Sequence, residues 1–239
     1  MNEYALYLES GPRKRTTMVH VLDLLGCIVR GPTTEAALKT TPAGIKAYLR
    51  FLEVHGDGVD PDAAFTTVVK EHVMEGPWLG NGNPTPGFGP DFQVLEVNVL
   101  DIYLSRMDWL LEDLLELIHD LPSEQQLTEP EGIGRSIFRI VEHLAESQHA
   151  YLRSILGPMA ELPAALRVVR ARPEALPDSL VNVWKIIRTR LEAMTDADRA
   201  LSVQRGQVTW TAKRALRRLL EHPWEHLMEI AERLGKPMA

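Results

Sequence analysis

The chain has almost no cysteine. Cys27 is the single one among 239 residues, which excludes an intrachain disulfide and suits a reducing compartment. A block of like positive charge is also missing. Lys and Arg number 26 against 33 Asp and Glu, a formal net charge of −7, which argues against nucleic acid or an anionic membrane surface as a partner. No apolar run reaches the ~18 residues that a spanning helix requires. The opening Met1-Asn2-Glu3-Tyr4-Ala5-Leu6 has neither the basic nor the apolar stretch of a secretory leader. These absences lead us to expect a cytoplasmic protein with no membrane and no nucleic acid among its partners. What is present, 45% hydrophobic and 25% charged residues, is the ordinary balance of a globular chain long enough for one large domain or two small ones.

The two halves follow different patterns. Residues 1–75 read as α+β. Tyr4–Leu8, Thr16–Val21 and Gly26–Gly31 are expected strands, the second alternating and β-branched. Thr33 or Thr34 then caps a helix carrying Ala37, Leu38, Ile45, Leu49 and Leu52, with a break or restart expected at Pro42 and an end at His55-Gly56-Asp57-Gly58. Phe65–Val69 is a fourth strand. Residues 76–98 form a Gly/Pro-rich linker, whose Trp78 and Phe88 suggest that it packs on something, and Asp91–Val97 is one more short strand. Residues 99–239 read as four helices with no strand between them, near 99–119, 135–156, 178–194 and 210–234, each ended by Gly or Pro signals. The expected fold class is therefore two-domain: an α+β module followed by an all-α four-helix bundle.

Histidines are the residues in the bundle that could carry chemistry. His222 and His226 stand four apart in Leu219-Leu220-Glu221-His222-Pro223-Trp224-Glu225-His226, one turn apart on one helix face, so both imidazoles can reach one ion. Eight histidines in this length give roughly 0.3 such pairs by chance, so the pair alone decides little. His143, on the flank of the second helix beside Ser147 and Ala150, adds a third. His226 falls within the apolar stripe and His222 at its edge. An inward imidazole needs a partner, which is a metal, a carboxylate, a backbone carbonyl or water. Neutral imidazole suits zinc, nickel, copper or iron, and three protein ligands leave an open position. Pro223, between the pair, removes one helical hydrogen bond and clashes one turn back at a cost of about 3 kcal/mol. It predicts a kink or local widening around Leu219, which either re-aims His222 relative to His226 or is tolerated where a ligand cavity interrupts the helical ladder. Lys213, Arg214, Arg217 and Arg218 read as a solvated face or as a guide for an anionic substrate. His20, His55, His72 and His119 have no motif around them and read as surface or capping residues. Glu142, Glu146 and Glu225 are placed mostly outward by helical angle.

The segments Ser136-Ile137-Phe138-Arg139-Ile140-Val141-Glu142-His143-Leu144-Ala145-Glu146 and Trp210-Thr211-Ala212 through Glu221-His222-Pro223-Trp224-Glu225-His226 resemble those of the DinB/YfiT-like superfamily of bacterial four-helix bundles. Asp120-Leu121-Pro122-Ser123-Glu124 resembles the link after the first helix of that family. The resemblance implies that His143, His222 and His226 hold a divalent metal, zinc or nickel. It also implies a homodimer and a low-molecular-weight thiol as the small-molecule ligand. The first half, through Tyr4–Leu8, His20-Val21-Leu22-Asp23-Leu24-Leu25-Gly26-Cys27, Gly31–Leu38 and Ala47-Tyr48-Leu49, resembles the HicB-like fold. That fold implies an antitoxin when joined to a DNA-binding segment. No basic helix or ribbon is present here, so a repurposed module is expected.

The function expected from these readings is a metal-dependent enzyme acting by thiol S-transfer or, second, by hydrolysis. The alternative is a non-catalytic ligand-binding or regulatory protein that keeps the site without turnover.

Overall fold

The computed structural model describes residues 1–82, 85–132 and 134–236. Residues 83 and 84 of the expected linker and Pro237 of the expected helix stop lie outside the described residues. The chain divides into two compact units, Met1–Phe92 with Leu220–Ala239, and Gln93–Leu219.

The first unit is built on a four-stranded sheet in the order β3-β2-β1-β4. Strands β1 (Asn2–Ser10), β2 (Arg15–Val21) and β3 (Ile28–Thr33) form an antiparallel meander, with Leu8 opposite Val19 and Tyr7 opposite His20. Helix α1 (Thr34–Val54) packs on β2 and β3 and returns the chain to β4 (Phe65–Val73), which lies parallel to β1. A helical crossover is the connection that a parallel neighbour requires. Thr33 caps α1, its hydroxyl accepting from the Ala36 amide at 3.1 Å. The break expected at Pro42 does not occur, because α1 runs unbroken through it. Ile45, Tyr48, Leu49 and Leu52 are all buried, and that packing outweighs one lost backbone bond.

The third strand begins two residues later than expected. Gly26 belongs instead to the tight turn before it, at φ +103°, where an added Cβ would lie 2.3 Å from the Tyr48 hydroxyl and 3.1 Å from Leu220 Cβ. Only glycine combines that dihedral with that approach. Among the described residues between β4 and the next long helix, the one regular element is a short 3-10 turn, Gly89–Phe92, so the strand expected over Asp91–Val97 is not formed. Asp91 is buried and its carboxylate accepts from the Phe88 amide at 3.0 Å, a local bond that competes with strand pairing. Phe88 is fully buried against the rings of Tyr7 and His20, so the segment does pack on the sheet. Trp78, by contrast, is 78% exposed.

The second unit carries the long helices α2 (Val97–Ile118), α4 (Ile137–Leu156) and α6 (Leu176–Glu192), with the shorter α3 (Ser123–Leu127), α5 (Leu162–Ala171) and α7 (Asp196–Arg199) between them. Ser136 caps α4, as its sequence position predicts, accepting from the Arg139 amide. The indole of Trp184 on α6 is 1% exposed and donates to the Met107 carbonyl of α2 at 3.0 Å, so a large apolar body is buried with its one polar atom satisfied. The unit is not all-α. A hairpin, β5 (Ser202–Arg205) with β6 (Val208–Thr211), turns at Gly206 and leads directly into α8 (Ala212–Arg233). Helix α8 begins in this unit, and its residues from Leu220 onward belong to the first. Among the described residues no helix is long and apolar enough to cross a membrane.

Candidate metal centre

The sequence places His222 and His226 one turn apart, and the structure brings them together. Their Nε2 atoms lie 3.1 Å apart, and both residues are buried, at 6% and 8% exposure. Zinc–imidazole bonds are about 2.0–2.1 Å, so 3.1 Å is a separation that one ion can bridge. Pro223 has not parted them. Helix α8 spans Ala212–Arg233 with Pro223 inside it, and the two Nε2 atoms stay within reach of each other.

The second nitrogen of His226 is fixed as well. Its Nδ1 lies 2.7 Å from Glu229 Oε2, and Glu229 is in turn held by Arg233. A carboxylate on Nδ1 sets the tautomer that leaves Nε2 with a lone pair, and it makes that nitrogen a better donor to a cation. Buried paired imidazoles backed by a carboxylate therefore fit a divalent metal. Glu229 was missed in sequence, although its spacing of three from His226 puts it within reach on the same helix face. It also lines a pocket of about 740 Å³ with Arg30, Trp224 and Met228.

His143 stands on α4 of the second unit, half-buried, with the Ser147 hydroxyl 3.5 Å from its Nδ1. It lines a pocket of about 390 Å³ with Arg135, Arg139, Glu142 and Glu146. Glu142, expected outward, is 8% exposed. Its two carboxylate oxygens take Arg139 at 2.7 Å and Arg170 at 3.1 Å, and Arg170 also reaches Glu146. The hydrogen bond that Arg139 donates to Glu142 raises the pKa of Arg139, with the negative charge beside it adding to the effect. Arg170 lies 28 residues beyond Glu142, which hid this cluster from a reading of one helix at a time.

Two other sequence readings are corrected. Arg214, Arg217 and Arg218 are 1–2% exposed, so they form no solvated face. The guanidinium of Arg214 lies over the Trp210 ring and donates to the Thr209 carbonyl at 2.7 Å, and that of Arg218 lies over Tyr151. Arginine tolerates this because its flat, weakly hydrated cation stacks on aromatic rings. His20, read as a surface residue, is 2% exposed, with Nδ1 2.8 Å from Glu221 Oε1. Its partner lies 201 residues away, out of reach of any local pattern.

An inward, carboxylate-backed histidine pair on the last long helix is a ligand set that one divalent ion fits. The comparisons make the family explicit. The profile of the DinB superfamily matches residues 106–230, over half of the chain, and the chain belongs to that superfamily. Among solved structures it is similar to YfiT from Bacillus subtilis, described as "a probable metal-dependent hydrolase with an unusual four-helix bundle topology". The identity is 19%, with 60% of this chain and 91% of that one covered and a TM-score of 0.47. No curated protein matches the chain.

Proposed function

We propose that the protein is a metal-dependent enzyme in which His143, His222 and His226 hold one divalent ion, zinc or nickel. The observation that carries the reading is the buried Nε2 pair at 3.1 Å with Glu229 on the outer nitrogen of His226. Such an ion supplies Lewis acidity that lowers the pKa of a coordinated thiol or water. The chain's own part is to present neutral imidazoles, to fix their tautomer through Glu229, and to keep water from the pair by burial. The reaction we propose is S-transfer with a low-molecular-weight thiol, with hydrolysis as the second chemistry on the same ligand set. A homodimer, a cytoplasmic setting and a HicB-like origin for residues 1–75 belong to the same proposal. So does the division into that module, a 76–98 linker and a 99–239 bundle. The reducing setting is supported by one buried cysteine, Cys27, and the HicB-like origin by the element order βββαβ.

One feature favours a ligand-binding protein without turnover. Glu142 and Glu146, the carboxylates nearest His143 in sequence, are tied to Arg139 and Arg170, and a general base needs an uncommitted carboxylate. Metal analysis of protein purified without a histidine tag tests the site. About one ion per chain, lost in His226→Ala, supports it; metal-free protein whose melting ignores chelators sinks it. Thiol-exchange assays on the metal-bound protein then separate enzyme from binder.

A further inference from the structure

The first 92 residues are not needed to supply any of the three proposed ligands, yet they grip the turn of α8 that carries two of them. We propose that this sheet unit is the scaffold that sets the ligand turn, and that His20 and Glu221 are its positioning residues; the inference rests on the metal reading above.

The grip is on the opposite side of the helix from the ligands. At about 100° per residue, Leu220 and Trp224 lie roughly 120–160° from His222 and His226, with Glu221 and Glu225 between the two faces. Every residue of the first set has a partner within the first unit. Trp224, 3% exposed, packs edge-on against Tyr48 at 4.9 Å and beside Phe51 at 5.2 Å. Leu220 Cβ lies 3.1 Å from where a side chain on Gly26 would begin. The Tyr48 hydroxyl donates to the Leu25 carbonyl, tying α1 to that same β2–β3 turn. Glu225 reaches Arg30 at 3.6 Å.

Apolar contacts alone fix depth but not rotation. The His20–Glu221 bond supplies the rotational stop, since it joins two side chains that are 2% and 1% exposed and 2.8 Å apart. Phe88 also lies against His20, the ring centroids 5.1 Å apart and the planes tilted by 53°. A buried hydrogen bond is directional where packing is not, and losing it removes a fixed angle between the two side chains. Glu221 is next to His222 in the chain, so a small rotation at Glu221 moves both imidazoles.

The test is zinc affinity of the full chain, by competition with a chromophoric chelator, together with the visible absorption of the cobalt-substituted protein. His20→Ala is expected to weaken zinc about tenfold, the low end for supporting partners of metal ligands, and to change the cobalt spectrum. His20→Gln, which keeps a donor toward Glu221, is expected to recover within about threefold. Leu6→Ala, which opens a cavity at a buried position of β1, is the control. It lowers the melting temperature but is expected to leave zinc affinity and the cobalt spectrum as in the wild type. Equal losses in His20→Ala and Leu6→Ala, or an unchanged affinity in His20→Ala, overturn the positioning role while leaving the metal site standing. A wild-type chain that binds no zinc or cobalt overturns both.

Discussion

Removing the carboxylate of Glu229 should weaken metal binding without unfolding the protein. The bond from His226 Nδ1 to Glu229 Oε2 is 2.7 Å, the length of a charge-assisted contact. Carboxylates behind metal-bound imidazoles contribute about 10–100-fold in affinity, or about 1.4–2.7 kcal/mol. Two features push this one to the lower end. Glu229 is 34% exposed, so solvent screens it, and it shares its charge with Arg233. The expectation for Glu229→Ala is therefore about a tenfold loss of zinc affinity. Glu229→Gln, which retains an acceptor oxygen, should fall between it and the wild type. Arg233→Ala separates the two roles of the carboxylate. It frees Glu229 from competition and should leave affinity equal or slightly higher. Competition titration against a chromophoric chelator at near-neutral pH reads all three. An unchanged affinity in Glu229→Ala, or an equal loss in Arg233→Ala, would refute the claim that Glu229 acts through the His226 ring.

Chelation should lower the melting temperature of the metal-loaded protein. Free metal at about 100 times its Kd contributes about 2.7 kcal/mol, which for a chain of this size corresponds to about 5–10 °C; calorimetry with and without chelator measures it. The pH dependence of the metal-free protein should carry a signature of His72. Burial, with Lys14 adding to it, holds its pKa below the ordinary 6.5, so the native state resists a proton that the unfolded chain accepts. That contribution is complete above about pH 6.5 and is lost as the pH falls from there toward the folded-state value. With chelator present, melting between about pH 7.5 and 5.5 should therefore fall more steeply in the wild type than in His72→Gln, and parallel slopes would remove His72 from the account. Gly26→Ala should cost about 2–3 kcal/mol in denaturant unfolding, combining the strain of a side chain at positive φ with a collision at the Tyr48 hydroxyl. A loss below about 1 kcal/mol would show that the turn relaxes freely.

The elements that could be read from the chain were those whose instructions are local. The apolar stripes of α2, α4, α6 and α8 repeat every three to four residues, and their ends fall within a few residues of the Gly, Pro and Ser signals. The histidine pair was legible for the same reason, because helix geometry alone puts residues four apart on one face. Helix α5 was passed over although Leu162, Ala165, Leu166 and Val169 keep the same rhythm and are buried, since ten residues in a proline-flanked stretch resemble a loop. The β5–β6 hairpin falls mostly in the stretch read as a connection, and the expected fourth helix took in only its last two residues, although Gly206 marks its turn. Other features were set by distant partners. Arg218 is buried because Tyr151 lies beneath it, and His20 because Glu221 meets it from the far end of the chain. Whether Pro223 would separate the pair was likewise a question of packing around α8, which no spacing rule contains.

The membership of residues from Leu220 onward in the first compact unit also has a consequence for how the chain matures. Strands β1 to β4 and helix α1 leave the ribosome ahead of α8, and the turn that meets Tyr48, Phe51 and His20 is made after the whole of Gln93–Leu219. At about 5–20 residues per second, the sheet waits on the order of ten seconds for its closing partner. During that interval Trp224's site on α1 is open to solvent and the His20 side chain lacks Glu221. A sheet made before Gln93–Leu219 is thus finished only after it, and its window of exposure makes it the stretch where a chaperone would have most to protect.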